Sequence, residues 1–557
     1  MISLLHSEKK PLYVVFPPAI TTFAYEAAEM LSEFIRDISG IKPVRTCAKS
    51  IPDDAVGFIL GDTSLPESAE AAAELHYGEC LVTCSGKRII CATHTEELLI
   101  EAVQYICGSA TFGGGRLSVS ENVVGRVFVM PRFLGNVPAM HAGTQVHCRR
   151  SHDSTDQVVV AGTTAEDYEK YLESVCAEGF EKLSSRECCG NLFASFRKGL
   201  CGLYVYFTPF NGTTRIICGP ASAMHRDMPA KSEYTPVKPL MTVIGARFST
   251  ESRYLNCDSG AGNMGYVFRM EDGRFIIVDG GMELGDYAEK IVAAMKEQSE
   301  DPDNITVACW FLSHTHIDHT GAFLKVAAKF ANEVKIEEVA CNFPSIPDAE
   351  GYREAWNTRR VKEAVYSVFP DAKYSKLHTG EILDFGCAKA EILYTQDDLV
   401  RQYLSVANET LNTASMCVRL YIGGNTVILP ADCDETANGI LVSMYGDYLK
   451  SDILQVCHHG GWGGTTALYG AIDPELAIFS TTDALLPKYL TLKYNHDLVY
   501  GMNVIEVHNN ADRCRTFELP YHPSERRIPD DPSDGLLYTK AKHLEAQAAL
   551  EKLKSGQ

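Results

Sequence analysis

The 557-residue sequence has no apolar run near the ~18 residues that a membrane-spanning helix needs. No membrane association is therefore expected. It also has no Cys-x-x-Cys pair. Its nineteen cysteines are odd in number and scattered, which fits free thiols in a reducing compartment better than a disulfide framework. Positive charge is scarce: 51 Lys and Arg face 72 Asp and Glu, a net charge of −21. Nucleic acids and anionic membranes are held by clustered Lys and Arg, so neither is an expected partner. The first ten residues show no basic stretch leading into a long apolar core. No secretion signal is read there, and a cytoplasmic location is expected. No internal repeat or low-complexity segment is evident. What is present is ordinary for a globular chain: 45% hydrophobic and 22% charged residues, enough for roughly two to four domains.

One stretch stands apart. In Phe311-Leu312-Ser313-His314-Thr315-His316-Ile317-Asp318-His319-Thr320-Gly321, three histidines and one aspartate fall within six positions. The run Ile305 to Leu312 leads into it and reads as a short buried strand, rich in β-branched and aromatic residues. The polar cluster then falls at the strand's C-terminal end, where α/β proteins place their sites. Imidazole nitrogen and carboxylate oxygen suit zinc and similar divalent metals. His314 and His316 can point to one metal, while Asp318 and His319 turn toward a second. A polar loop of satisfied histidines is the bland alternative, and the density of the motif argues against it.

The pattern His-x-His-x-Asp-His resembles the signature of the metallo-β-lactamase fold superfamily. The resemblance covers roughly residues 241 to 520 and implies an αββα sandwich with one or two metals at the sheet edge. Further segments follow in the family's order. Phe275 to Val278 reads as a strand closed by Asp279-Gly280-Gly281; the resemblance makes Asp279 a residue that orients the metal loop. Asn412-Thr413-Ala414-Ser415 precedes a strand, Val427-Ile428-Leu429 precedes Ala431-Asp432, and Asp452 to Val456 precedes His458-His459-Gly460. This order is similar to the branch that includes the competence (DNA-uptake) proteins' metallo-β-lactamase-like domain and the phosphorylcholine esterases. In that branch Asp432 bridges two metals, with Ala431 standing where a glycine is usual. The same comparison puts His458 on the second metal and His459 on the substrate side. His496, in Lys493-Tyr494-Asn495-His496, resembles a late substrate-contact segment, with Asn495 and Asp497 as departures. The implied metal set is His314, His316, Asp318, His319, Asp432 and His458; the implied catalytic set is Asp318, His459 and His496. One departure stands out. The family's isolated third histidine has no counterpart near Tyr394 or Gln396, and His378 precedes the strand in question.

The rest of the chain divides into an α/β domain over 1–135, an α+β module over 155–236, the hydrolase domain over 239–525, and a tail over 526–557. The tail carries a helix pattern from Tyr538 to Leu553. The front domain weakly resembles the small α/β domain ahead of many glycoside hydrolases. Three antiparallel strands are expected around Leu192–Phe196, Leu203–Phe207 and Thr214–Cys218, with turns at Lys198-Gly199 and Asn211-Gly212. No ligand candidate with metal spacing lies before residue 237, so the metal site is expected to be independent of the front half. The fold class is thus α/β and α+β, multidomain, ending in the αββα sandwich. The expected function is hydrolysis by hydroxide generated on one or two Zn²⁺ ions, with Mn²⁺ or Fe as alternatives. A small or glycan-linked phosphate ester or diester is the expected substrate. A non-catalytic glycan-binding or scaffold protein with a degenerate metal site is the alternative.

Overall fold

The computed structural model describes residues 2–532 except 6–10, 18–21, 48–50, 62, 64, 74, 76–78, 94–97, 120–124, 129–136, 151–154, 227, 246–263, 345–353, 355, 400–408, 484 and 510–513. The expected tail helix, Tyr538 to Leu553, lies outside the described residues. The chain forms two compact units. One holds Met1–Val137 with two short later segments; the other holds Val160 onward with two short earlier ones.

The first unit is built on a six-stranded sheet. Its order is Val44–Cys47, Leu12–Phe16, Val56–Leu60, Arg88–Thr93, Glu79–Ser85, Gly125–Phe128. The first four strands run parallel, because helices Thr22–Ser39 and Pro66–Ala73 return the chain over a face of the sheet. Gly86 sits at positive φ in the two-residue turn between Ser85 and Arg88 and closes the antiparallel pair there.

The second unit is an αββα sandwich. One sheet runs Lys373–Lys376, Glu338–Cys341, Ile305–Leu312, Phe275–Asp279, Gly265–Arg269, Leu240–Val243, Arg515–Glu518, with Val334–Ile336 also on Ile305–Leu312. The other runs Ile382–Asp384, Ala388–Tyr394, Cys417–Ile422, Asn425–Leu429, Ile453–Gln455, Leu476–Phe479, Glu506–Asn509. Phe268, Ile276 and Phe311 from the first sheet meet Ile392, Val418 and Leu429 from the second in one core between them. Ile305–Leu312 is buried on both faces, as its unbroken apolar run requires. Its outer face packs under helices Tyr287–Gln298, Ile317–Lys329 and Asn357–Val368.

The α+β module belongs to this second unit. It is a meander of four strands, Glu181–Cys188, Asn191–Lys198, Cys201–Thr208 and Thr213–Pro220, beside helix Ala165–Ala177. Three strands were expected. The extra one, Glu181–Cys188, is an edge strand exposed along most of its length, so it carries no apolar alternation to betray it. Phe193, Tyr204, Tyr206 and Ile217 of the meander share a core with Tyr394, Leu441, Met444 and Leu454 of the sandwich.

Polar groups tie the same interface. Arg215 is 1% exposed. Its Nε donates to Asp397 O at 3.1 Å and its Nη2 to Asp398 O at 2.9 Å, and Tyr206 OH donates to Asp398 Oδ1 at 2.9 Å. Glu391 takes Arg186 Nη2 at 2.5 Å on one oxygen and Arg419 Nη2 at 2.7 Å on the other. The module therefore packs into the sandwich's buried interior, while both groups of candidate ligand atoms lie after residue 237. Arg215→Ala leaves two buried carbonyls unpaired, so a loss of about 3 kcal/mol or more is expected in urea unfolding. A loss below 1 kcal/mol would show that this contact adds little.

Two acids in this region are buried, and the nearest ion-pair partner of Glu381 is His225 Nε2, at 3.5 Å. Burial pushes Glu338 up to about 7 and Glu381 up to about 8, against weaker pulls from neighbouring hydrogen bonds. Glu381 Oε2 accepts from His378 N at 2.6 Å. A folded pKa above the unfolded one means that stability is full below about pH 4.5 and falls as pH rises through 7 to 8. Glu381→Gln keeps an acceptor for His378 and removes the charge. It is expected to flatten the decline in melting temperature between pH 6 and 9; an unchanged slope would contradict the assignment.

Candidate metal centre

The site starts where strand Ile305–Leu312 ends. The chain turns through Ser313, His314 and Thr315, and a helix begins at Ile317. That start puts Asp318 and His319 in the first turn, with His316 at the cap position. Helical spacing then holds these two side chains near the strand end. Gly321 is required here, because a Cβ would lie 2.1 Å from the backbone nitrogen of Glu283.

Asp279 fixes the loop. It ends its strand in a left-handed conformation, φ 53°, and its carboxylate is fully buried. It accepts from Ser313 N, Ser313 Oγ and His319 Nδ1, each at 2.8 Å. With Nδ1 engaged, His319 presents Nε2 to Asp432 Oδ1 at 3.3 Å. This is the arrangement by which a carboxylate sets the tautomer and aim of a ligand histidine. His314 Nδ1 lies 3.1 Å from Ser313 Oγ, and its Nε2 lies 3.0 Å from His316 Nδ1. Two further contacts steady the turn: Glu354 Oε2 accepts from Ile317 N at 2.6 Å, and Asn357 Nδ2 donates to Thr315 O at 2.8 Å.

The second sheet supplies the opposite wall. Met416 N donates to Ser313 O at 3.0 Å, joining the two sheets at this edge. Asp432 follows strand Asn425–Leu429 through Pro430 and Ala431, the latter at φ 53°. Gln455 holds that bend: its Oε1 accepts from Ala431 N at 2.7 Å, and its Nε2 donates to Val456 O at 2.6 Å. His458 N donates to Ala431 O at 2.9 Å. His458 and His459 are both left-handed, at φ 47° and 59°. Asn495 Nδ2 donates to Gly460 O at 2.7 Å, which anchors the far side of this turn.

Two groups of ligand atoms result, each gathered within 4.8 Å: His314, His316 and Asp432, and Asp318, His319 and His459. Asp432 also joins the groups, with Oδ2 3.6 Å from His459 Nε2 and 3.8 Å from His314 Nε2. His458 Nε2 lies 3.6 Å from the same oxygen. The sequence reading put His458 on the metal and His459 on the substrate side. In the structure the two imidazoles are equally far from Asp432, and His459 alone of the two also reaches Asp318, at 3.1 Å. The paired left-handed residues reverse the chain here, so counting along the strand does not rank them.

His496 is in neither group. It lies on helix Lys493–Gly501, with Nε2 3.1 Å from Asp531 Oδ2. Around Tyr394 and Gln396, where the resemblance implies a further histidine, the structure has a polar network. His378 Nδ1 pairs with Asp397 Oδ2 at 2.7 Å, Gln396 Nε2 donates to Asn342 Oδ1 at 2.8 Å, and Tyr394 OH donates to Thr413 O at 2.7 Å. Sequence reasoning missed Gln455, Glu354 and Asn357. Gln455 had a signal, a lone amide inside an apolar strand; the other two had none.

A divalent cation fits this donor set. His319 Nε2, His459 Nε2 and Asp432 Oδ1 are buried atoms without a hydrogen-bond partner, and all face the shared space. The electrostatics agree. Burial alone would raise the Asp318 and Asp432 carboxyls, yet the neighbouring imidazoles hold both well below the usual range. Burial would lower His319 and His459, yet the carboxylates outweigh it, holding His319 high and His459 at about 9. His314, with fewer acids beside it, is pulled down by burial and then by His319 and His316. Carboxylates this deep need positive charge beside them, from imidazolium protons or from a cation. The fold of the loop depends on Asp279, so Asp279→Asn is expected to weaken Zn²⁺ binding on the order of 10–100-fold in chelator competition. Unchanged affinity in a folded variant would remove Asp279 from this role.

Comparison with known proteins follows the geometry. Residues 258–479 match the model of the metallo-beta-lactamase superfamily. Among curated proteins none matches. Similar solved structures include the metallo-beta-lactamase fold protein YhfI from Bacillus subtilis, 16% identical, TM-score 0.32, with 51% of this chain and 100% of that one covered. They also include CmlA, a diiron beta-hydroxylase from Streptomyces venezuelae, 13% identical, TM-score 0.29, with 52% and 55% covered. Unliganded yeast PDE1 is 11% identical, TM-score 0.31, with 51% and 100% covered. The strand ends, the ordered His and Asp residues and the family match agree: residues 258–479 belong to the metallo-beta-lactamase superfamily.

Proposed function

We propose that the second unit is a metal-dependent hydrolase acting on a phosphate ester or diester. The observation that carries this reading is Asp432, a buried carboxylate that reaches both groups of ligand atoms. Nitrogen and oxygen donors of this kind suit Zn²⁺, with Mn²⁺ or Fe also compatible. Bound there, one or two such ions would acidify a water molecule and offset negative charge on an attacked phosphoryl group.

The residues divide the remaining work. Asp279 and Gln455 hold the two ligand-bearing turns before any substrate arrives. His314, His316 and His319 offer nitrogen from one sheet, and Asp432 and His459 offer ligands from the other. Asp318 Oδ2, 3.1 Å from His459 Nε2, is placed to orient the attacking water and take its proton. His458 is partly exposed beside Asp432 and is the residue of this pair open to substrate. The alternative, a glycan-binding or scaffold protein with a degenerate site, draws on the missing third histidine, since His378 and Gln396 are engaged elsewhere.

Metal analysis and hydrolysis of bis(p-nitrophenyl) phosphate with Zn²⁺ or Mn²⁺ test the proposal. One to two equivalents of metal and turnover are expected; a folded protein that turns over no ester with either metal favours the alternative. Asp432→Ala is expected to lose at least one equivalent of metal and nearly all activity. His459→Ala is expected to lose metal as well, while His458→Ala keeps it with slower turnover. If His458→Ala loses metal and His459→Ala does not, the two histidines exchange roles.

A further inference from the structure

Two thiols meet at one end of the meander, outside the metal centre. Strands Asn191–Lys198 and Cys201–Thr208 are joined by the two-residue turn Gly199-Leu200, with Gly199 at φ 59° and Leu200 92% exposed. Cys201 opens the second strand and is half-buried. The antiparallel register sets it opposite Lys198 on one side and Pro220 on the other. Leu203, two residues on, is opposite Cys218, so Cys201 and Cys218 are diagonal neighbours on one face of the sheet. Their Sγ atoms lie 3.1 Å apart. Cys218 is fully buried. One sulfur of the pair therefore meets solvent, and the other is shielded beside it.

The thiolate, not the thiol, is the nucleophile, so reactivity follows the ease of losing the proton. Burial pushes the thiols of Cys309, Cys417 and Cys433 well up, and Cys457 up to about 12. Cys201 moves the other way. The hydrogen bond from Cys218 lowers it, outweighing burial, and the Lys198 ammonium adds to the pull. Lys198 is fixed in turn, since its Nζ donates to Glu178 O at 2.6 Å. Cys188 and Cys189 also have sulfurs in contact, at 3.9 Å, but burial pushes Cys189 up to about 11.

We propose that Cys201 and Cys218 form a modification site for a peroxide, which closes them into a disulfide that locks the strand pair Cys201–Thr208 and Thr213–Pro220. The Cys201 thiolate attacks one peroxide oxygen. An S–O bond forms, the O–O bond breaks, and the leaving hydroxide takes up the proton that Cys201 released. The Cys218 sulfur then attacks the sulfur of the Cys201 sulfenic acid. The S–S bond forms, the S–O bond breaks, and the departing hydroxide takes the Cys218 proton. Two thiols and one hydrogen peroxide thus give one disulfide and two waters, the thiols losing the two electrons that the peroxide gains. A disulfide holds its sulfurs about 2.05 Å apart, so closure brings this pair together by about 1 Å. Tyr206 and Arg215 are opposite each other on the same two strands and reach Asp398 of the sandwich. The disulfide therefore ties together the strands that carry this brace.

Treatment of the full chain with hydrogen peroxide, followed by trypsin and mass spectrometry, tests this. Cleavage after Lys198, Arg215 and Arg226 leaves Cys201 on peptide 199–215 and Cys218 on peptide 216–226. The two peptides are expected to appear linked, lighter than their sum by the two thiol hydrogens, and to separate in dithiothreitol. The link should form before the exposed Cys84, Cys176 and Cys514 are oxidised. In Cys218→Ser the reaction should stop at the Cys201 sulfenic acid, which dimedone traps. The peroxide-treated protein is expected to melt a few degrees above the reduced one, and Cys201→Ser should show no such rise. The proposal is overturned if Cys201 and Cys218 stay reduced while the exposed thiols oxidise, if Cys201 pairs with another cysteine, or if the linked protein melts no higher than the reduced one. The digest of the unsubstituted chain decides the matter even where Cys218→Ser fails to fold.

Discussion

The second unit depends on holding Asp279 and Asp432 as buried carboxylates, with Asp318 half-buried beside them, at one edge of a sandwich. Isolated, each would cost several kcal/mol to bury. Together with three to five imidazoles they form a set in which every charge has an opposite neighbour. Asp279 is satisfied entirely by protein donors, Ser313 N, Ser313 Oγ and His319 Nδ1. Asp432 is not, since Oδ1 has no hydrogen-bond partner. That contrast separates a carboxylate that builds the loop from one left open to a cation.

Backbone strain marks the same place. Among the described residues six non-glycine residues have positive φ, and four of them are Asp279, Ala431, His458 and His459. Each costs free energy and persists only because neighbours over-determine it. The neighbours are identifiable: Trp310 on Asp279 O, Gln455 on Ala431, and Asn495 on Gly460. Ala431 shows the constraint plainly. Its conformation is the one glycine adopts freely, and the methyl is tolerated because Gln455 clamps the peptide on both sides.

The meander before the sandwich has a comparable role at larger scale. Arg215 reaches across to the carbonyls of Asp397 and Asp398, while Asp397 orients His378 and Asn342. Asn342 follows the strand beside the one that ends in the metal loop, with Cys341 opposite Leu312. The module thus braces the turn that stands where relatives are expected to carry another histidine. A guanidinium with several fixed donors suits this task, because it can satisfy carbonyls in more than one direction.

The sequence by itself determined the sandwich and the order of its site segments. Ile305–Leu312 and Phe275–Asp279 are legible because both faces are buried, which leaves no polar interruption. His314, His316, Asp318, His319 and Asp432 are legible as a cluster because their spacing at strand ends resembles a metal-ligand pattern, and the structure gathers them into the two groups of candidate ligand atoms. The exposed edge strand Glu181–Cys188 was not legible, since solvent imposes no pattern on an edge. Nor was the relation between His458 and His459. Adjacent residues in an ordinary strand point to opposite faces, but two left-handed residues in succession bring both rings to Asp432. The fusion of the meander to the sandwich was also invisible: a buried arginine in a strand looks the same in sequence whether it faces solvent or another chain segment's carbonyls. Those features depend on what lies opposite in space, and only the tertiary structure decided them.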